Sequence, residues 1–223
     1  MTSDARAIPF WSDEEIETAL AGAITFLRGH RVLAYPTETV YGFGGAVDSE
    51  SVRQLIALKG RPLNKPFLLI VASSDMIGRL GLHLTSYASQ LAAKFWPGPL
   101  TLVLPGGEKR VPDQLRGPEG GVAVRWTPHR GLTRLIQAYG EPITSTSANR
   151  PGVPAATNAS QIVEQWSDAI GRGTLHVLDG GQLSSSPPST VVDCTGRRPR
   201  VIRPGAISAA SLRESVPDLV GDS

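Results

Sequence analysis

The sequence predicts a single α/β domain, and three observations carry that expectation. Short apolar runs of strand character alternate along the chain with amphipathic periods of helical spacing. No internal repeat and no linker-like stretch divides the 223 residues, a length that supports one sizeable core. Polar segments of unusual composition fall directly behind the expected strands, where open α/β sheets gather their ligands.

The elements follow in order. Ser12 with Glu15 three residues on reads as a capping box. Ile16, Leu20, Ala23, Ile24 and Leu27 then recur at helical spacing until Gly29. A strand is expected over residues 31–36, and a helix over 48–58 with Val52, Leu55 and Ile56 inward, ending at Lys59-Gly60. Next come a strand at 67–72 and a helix at 85–95, broken by Trp96-Pro97-Gly98-Pro99 before a strand at 100–104. Residues 105–121, rich in glycine, proline and charge, read as an exposed loop. After a strand at 122–125, Thr127 is the expected helix cap, with Pro128 in the first helical position and Gly140 closing the helix. A strand at 142–146 runs into Ser147-Ala148-Asn149, followed by a helix at 160–170 and strands at 174–178, 190–193 and 200–203. The Ser/Pro-rich stretch 180–188 reads as a mobile loop.

Composition excludes several classes. No apolar run approaches the roughly 18 residues of a membrane span, and the charged residues Asp4, Arg6, Asp13, Glu14 and Glu15 leave no room for a signal peptide. One cysteine, Cys194, precludes an internal disulfide and fits a reducing, cytoplasmic compartment. His30, His83, His129 and His176 are scattered without a cysteine partner, so no zinc site is expected. A net charge of +2 with a pI near 8.9 is mildly basic and demands no nucleic-acid partner. No serine-hydrolase elbow, Cys/His pair, dinucleotide fingerprint or Walker pattern is present.

Two segments are chemically suggestive, each with an ordinary alternative. Lys59-Gly60-Arg61-Pro62 either offsets a helix dipole or clamps phosphate, with Lys65 as a third cation. Ser145 to Asn149 either builds a turn or supplies hydroxyl and amide donors for phosphoryl transfer. In the glycine-rich stretch 37–45, Tyr41 and Phe43 are most simply core aromatics; Arg125, Ser189 and Arg203 each have a plain structural reading as well. An enzyme made from such groups works by positioning and electrostatics, its substrate supplying the nucleophile.

Taken together and in order, YPTETVYG, KGRP, FWPGPLTLVL, VAVRW, TSTSANRPG, LDGG, STVVD and IRPG resemble the YrdC-like threonylcarbamoyl-adenylate synthase family. The resemblance spans residues 31–205 and includes the family's K-x-R and S-x-N pairs, here Lys59/Arg61 and Ser147/Asn149. It implies a twisted mixed sheet flanked by helices around a deep, positively lined cavity, with residues 1–205 as the catalytic domain and 206–223 as a C-terminal tail. The extra C-terminal domain of longer relatives is expected to be missing, so a lid would come from within the core, with 180–188 as the candidate.

The implied reaction joins L-threonine, bicarbonate or CO2, and ATP into threonylcarbamoyl-AMP, releasing pyrophosphate, with Mg2+ carried on ATP. The implied downstream partner is a tRNA threonylcarbamoyl-transferase complex, with at most weak direct tRNA binding and no membrane. The implied catalytic set is Lys59, Arg61, Ser147 and Asn149. ATP is expected on Arg61, Lys65, Ser147, Asn149 and Arg203, and threonine on Thr37, Thr39, Arg125, Ser145 and Ser189, with Arg125 taking the carboxylate. Pro188, Lys65 and Ile70 depart from the residues many relatives carry. Two alternatives remain: an RNA-binding protein using Arg197-Arg198-Pro199-Arg200, and a carbamoyl-adenylate enzyme like the YrdC-like module of hydrogenase maturation proteins.

Overall fold

In the computed structural model, which describes residues 6–60, 67–184 and 186–221, the chain opens with β1 (Ala7–Pro9) and α1 (Asp13–Arg28). The capping box forms as expected. Ser12 Oγ accepts from Glu15 N at 3.2 Å, and Glu15 Oε2 accepts from Ser12 N at 2.8 Å. The apolar stripe Ile16, Ala19, Ala23 and Leu27 is buried, as its spacing requires. Strands β2 (Val32–Tyr35) and β3 (Gly42–Gly44) follow, then α2 (Ser49–Lys59), capped by Asp48. Val52 and Leu55 of α2 are buried, whereas Ile56 packs only partly against the core.

The middle of the chain supplies β4 (Leu68–Val71), α3 (Ser74–Arg79), α4 (Ser86–Phe95), β5 (Leu100–Leu104), a 3-10 turn at Asp113–Leu115, β6 (Val122–Trp126) and α5 (Arg130–Tyr139). The last third holds β7 (Ile143–Ser147), α6 (Ala159–Gln165), α7 (Ser167–Gly171), β8 (Leu175–Asp179), β9 (Thr190–Asp193), β10 (Arg200–Arg203) and α8 (Ala209–Ser215).

Among the described residues the strands form one mixed sheet in the order β1-β8-β2-β3-β7-β4-β6-β5-β9-β10. Strand β7 joins the two halves. It pairs antiparallel with β3 through Gly42↔Ser147 and Phe43↔Thr146, and with β4 through Leu68↔Ser145 and Leu69↔Thr144. The approach of β3 to β7 is too close for a side chain. A Cβ on Gly44 would sit 1.8 Å from the Thr144 carbonyl oxygen and 2.6 Å from the Tyr35 hydroxyl, so only glycine fits.

Several expectations are corrected. The helix expected at 160–170 is two helices, because Trp166 leaves helical geometry (φ −126°, ψ 27°) and sets its ring edge-on to Phe43 at 4.9 Å. Packing of the large ring outweighs helix continuity here. Residues 105–121 are not simply exposed: Val111 and Leu115 are buried, and Arg116 bridges to Val122. Residues 206–223 carry α8, whose Leu212 is fully buried and which packs against α4. Strands β1 and β3 and helix α3 were not foreseen. The first two are too short to show periodicity, and Pro9 and the glycines of β3 argue against strand propensity.

The cap of α5 is His129 and not Thr127. His129 Nδ1 accepts from Leu132 N at 3.2 Å, while the Thr127 hydroxyl is committed to the Glu38 carboxylate at 2.7 Å. Burial holds the His129 imidazole below its usual range, with the Glu38 charge pulling the other way. The unfolded chain therefore takes up a proton near its ordinary value of 6.5, where the folded one resists it. The stability contribution of the neutral ring is present above that pH and is lost as pH falls below it. Asparagine caps without titrating, so His129→Asn should lose less stability than wild type between about pH 7 and pH 5. Urea denaturation at both pH values measures this, and equal losses in the two proteins would remove His129 as a cause.

Candidate active site

The ends of β2, β6, β7 and β9, with β5 and β10, open onto one cavity of about 630 Å³, inside the roughly 300–1,000 Å³ usual for small-molecule sites. Thr37, Thr39, Arg125, Ser145, Ser147, Ser189 and Arg203 all line it, although they are spread over most of the sequence. Lys59 and Asn149 stand behind Ser147. Arg61 and Lys65 lie outside the described residues.

The corner at the end of β7 is a brace. Lys59 Nζ donates to Ser147 O at 2.8 Å, Asn149 O at 2.6 Å and Asn149 Oδ1 at 2.7 Å. Asn149 Oδ1 also accepts from Ser147 Oγ at 2.7 Å, and Asn149 Nδ2 donates to Val153 O at 2.6 Å. Helix α2 ends on Gly60 in the left-handed conformation, which directs Lys59 into this corner, where it is only 7% exposed. Its charge is spent in holding carbonyls that would otherwise splay. The effect is to fix the Ser147 hydroxyl at the cavity wall.

The turn after β2 is organised by Thr37. Its hydroxyl donates to Val40 O at 2.7 Å and accepts from Thr39 N at 3.2 Å and Val40 N at 3.3 Å, an arrangement in which a side chain stands in for backbone turn bonds. The Thr39 hydroxyl lies 3.1 Å from that of Thr37. Ser145 comes from β7, beside the fully buried Tyr35, whose phenol burial raises well above its ordinary range. Tyr35 donates to Thr144 O at 3.0 Å and so stays a neutral donor.

Arg125 is 6% exposed at the end of β6. One terminal nitrogen pairs with Glu38 Oε1, Nε reaches Gly98 O at 3.4 Å, and the residue lines the cavity. The Trp96-to-Pro99 break is therefore structural but not remote, since its carbonyl backs this arginine. Opposite Arg125 on β5 stands Thr101, whose hydroxyl is 2.8 Å from Ser189 Oγ. Arg203 Nη2 donates to Ser189 O at 2.8 Å and Ser189 Oγ at 3.0 Å. The turn after β10 presses on this group: a Cβ on Gly205 would lie 2.3 Å from Pro188 O and 2.6 Å from the Ser189 carbonyl carbon.

At the mouth, Arg200 Nη2 lies 3.6 Å from both Glu119 Oε1 and Asp193 Oδ2. The described lining thus carries three arginines (125, 200 and 203) against two carboxylates (119 and 193). In the basic cluster at 197–200, Arg198 Nε donates to Asp218 O at 3.2 Å and Arg200 is held at the mouth. The described part of the 180–188 loop is tied down: Tyr41 Oη donates to Gly181 O at 2.9 Å and Leu183 N to Thr157 O at 2.8 Å. Residues 117–121 also reach the mouth.

Sequence reasoning missed Glu38, Thr127 and Thr101. The signals existed: an acid between two site threonines, and a polar residue inside the otherwise apolar run 100–104. The described residues hold no group of three or more His, Cys, Asp or Glu side chains able to bind a metal ion, and no helix among them is long and apolar enough to cross a membrane.

Lys59→Met keeps the stem and deletes the ammonium, removing its three bonds; Ser147 O keeps Asn149 N and Asn149 Oδ1 keeps Ser147 Oγ, while Asn149 O loses the Lys59 donor. Unfolding free energy is expected to fall by about 2–3 kcal/mol, read by urea denaturation with an unchanged m value. A change within about 0.5 kcal/mol would refute the brace.

The comparisons with known proteins agree on one family. The Sua5/YciO/YrdC family model, described as "Telomere recombination", matches residues 25–205. The threonylcarbamoyl-AMP synthase of Pyrococcus abyssi is 36% identical over 198 residues, covering 88% of this chain and 57% of that protein. The enzyme of the same name from Klebsiella pneumoniae is 37% identical over 178 residues, covering 78% of this chain and 90% of its own length. The crystal structure of P. abyssi Sua5 complexed with L-threonine superimposes with a TM-score of 0.84 at 33% identity, covering 96% of this chain and 62% of that one. Escherichia coli YciO, at 23% identity and a TM-score of 0.79, shares the fold over 92% of this chain and 97% of its own. The chain spans little more than half the length of the Pyrococcus and Bacillus subtilis relatives, at 57% and 55%. With most of its length matched by the family model and relatives above 30% identity, this chain belongs to the Sua5/YciO/YrdC family.

Proposed function

We propose that this protein is an L-threonylcarbamoyladenylate synthase. The observation that carries the reading is the convergence of Thr39, Arg125, Ser145, Ser147, Ser189 and Arg203 on one cavity. Relatives named threonylcarbamoyl-AMP synthase support it, as does a related structure complexed with L-threonine.

The chemistry fits a site without a nucleophile of its own. The threonine amine adds to CO2, forming the N–C bond of a carbamate and releasing a proton to solvent, or adds to bicarbonate with loss of water and no net proton release. A carbamate oxygen then attacks the ATP α-phosphorus, the bond from that phosphorus to the bridging oxygen breaks, and pyrophosphate leaves. In this reading Arg125 takes the amino-acid carboxylate through paired N–H donors. Thr39, Ser145 and Ser189 supply hydroxyls around the amino acid, with Thr37 shaping the turn that presents Thr39.

Ser147 and Arg203 face the nucleotide phosphates, with Asn149 and Lys59 fixing Ser147 from behind. Arg61 and Lys65 are assigned to ATP on the motif match. Rate enhancement comes from holding two substrates in line and from donors set before charge develops. Mg2+ belongs to the substrate in this scheme and enters on the triphosphate, whose oxygens suit it. The product is destined for a tRNA threonylcarbamoyl-transferase complex in the cytoplasm.

Pyrophosphate release from ATP, with each amino acid in turn and with or without bicarbonate, tests the reading. Release is expected only with L-threonine and bicarbonate or CO2 present, and Arg203→Ala should lower kcat/KM by about 100-fold or more. Threonine-independent release, or carbamoyl phosphate replacing both threonine and bicarbonate, would overturn the assignment. Salt-sensitive tRNA binding without ATP turnover would point to an RNA-binding role instead.

A further inference from the structure

We propose that Glu38 is the positioning residue that sets the Arg125 guanidinium for the amino-acid carboxylate. The inference rests on the synthase reading and adds to it a residue that does not itself line the cavity.

The geometry is a chain of three side chains. Glu38 Oε1 takes one terminal nitrogen of Arg125. Its other oxygen, Oε2, accepts from Thr127 Oγ1 at 2.7 Å. The same Thr127 oxygen accepts from His129 N at 3.1 Å, at the cap of α5, so the chain is anchored in a helix start. Thr127 is 1% exposed, and the Glu38 side chain is 21% exposed. Gly98 O holds the Nε side of the guanidinium. Among the described residues Nη1 of Arg125 has no hydrogen-bond partner, and Arg125 lines the cavity.

An arginine stem has many rotamers, and a misplacement of an ångström at a binding group can cost about 100-fold. Two of the three nitrogens here are fixed by acceptors behind the cavity wall. The remaining edge of the fork is offered, already oriented, to a carboxylate. Glu38 also reduces the charge of a nearly buried cation, but charge reduction and orientation make different demands. Glutamine at this position keeps the shape and an acceptor oxygen for Arg125 while removing the charge.

The experiment measures L-threonine and ATP dissociation constants by calorimetry for wild type, Glu38→Ala, Glu38→Gln and Thr127→Val. Glu38→Ala should weaken L-threonine binding by about 10-fold or more, and Thr127→Val by several-fold. Glu38→Gln should stay within about 3-fold of wild type, and ATP binding should stay within about 2-fold in all three. Should the alanine variant fail to fold, the glutamine and valine variants still decide. Wild-type L-threonine affinity in the alanine and valine variants would overturn the proposal. So would equal weakening for both ligands, or a glutamine variant as impaired as the alanine one. A wild-type protein that binds no L-threonine would instead defeat the synthase reading.

Discussion

The pairing of β7 with two neighbours at once is the constraint on which the rest of the structure depends. It pairs with β3 and β4, and its register on the β3 side is secured by Thr144, whose hydroxyl accepts from Gly45 N at 2.9 Å and donates to Gly45 O at 3.1 Å. Since successive side chains of a strand point to opposite faces, a slip of one residue would carry the Ser145 and Ser147 side chains away from the cavity face and bring that of Thr144 onto it. The absence of a side chain at Gly44 is what lets the strands meet in this register. The Lys59 brace then holds the strand's last carbonyls where the chain turns back.

A second regularity concerns charge. The described cations around the cavity each have a structural partner: Lys59 the carbonyls of Ser147 and Asn149, Arg125 the Glu38 carboxylate, Arg203 the Ser189 oxygens, and Arg200 two acids at the mouth. Among the described residues such a site offers oriented donors and a small excess of positive charge. Orientation fixed in advance costs nothing when substrate arrives. It also spares the fold an uncompensated buried cation, a defect that costs about 3–5 kcal/mol when one partner of a buried pair is removed.

Much of the architecture was legible in the sequence because strong local signals agreed with the tertiary outcome. The capping box at Ser12, the stripe along α1 and the stop at Gly140 are local physics, and the structure uses each of them. Where tertiary partners outbid local ones, sequence reasoning failed. Thr127 is a good cap by composition, yet Glu38 claims its hydroxyl and His129 caps in its place. Trp166 sits in a helical period but leaves it to pack on Phe43. Within the site, the motif segments announced their residues but not their division of labour. Nothing in Lys59-Gly60-Arg61 shows that the lysine turns toward carbonyls, and Glu38 is invisible until the turn after β2 meets the end of β6.

In the proposed synthase a single cleft takes two substrates, with the amino acid at the Arg125 end and the nucleotide at the Ser147 and Arg203 end. A crystal structure with L-threonine and a non-hydrolysable ATP analogue bound together tests it most directly. The threonine carboxylate is expected on Arg125, and the α-phosphate within reach of Ser147 and Arg203. L-threonine bound away from Arg125, or a nucleotide outside this cavity, would contradict the assignment.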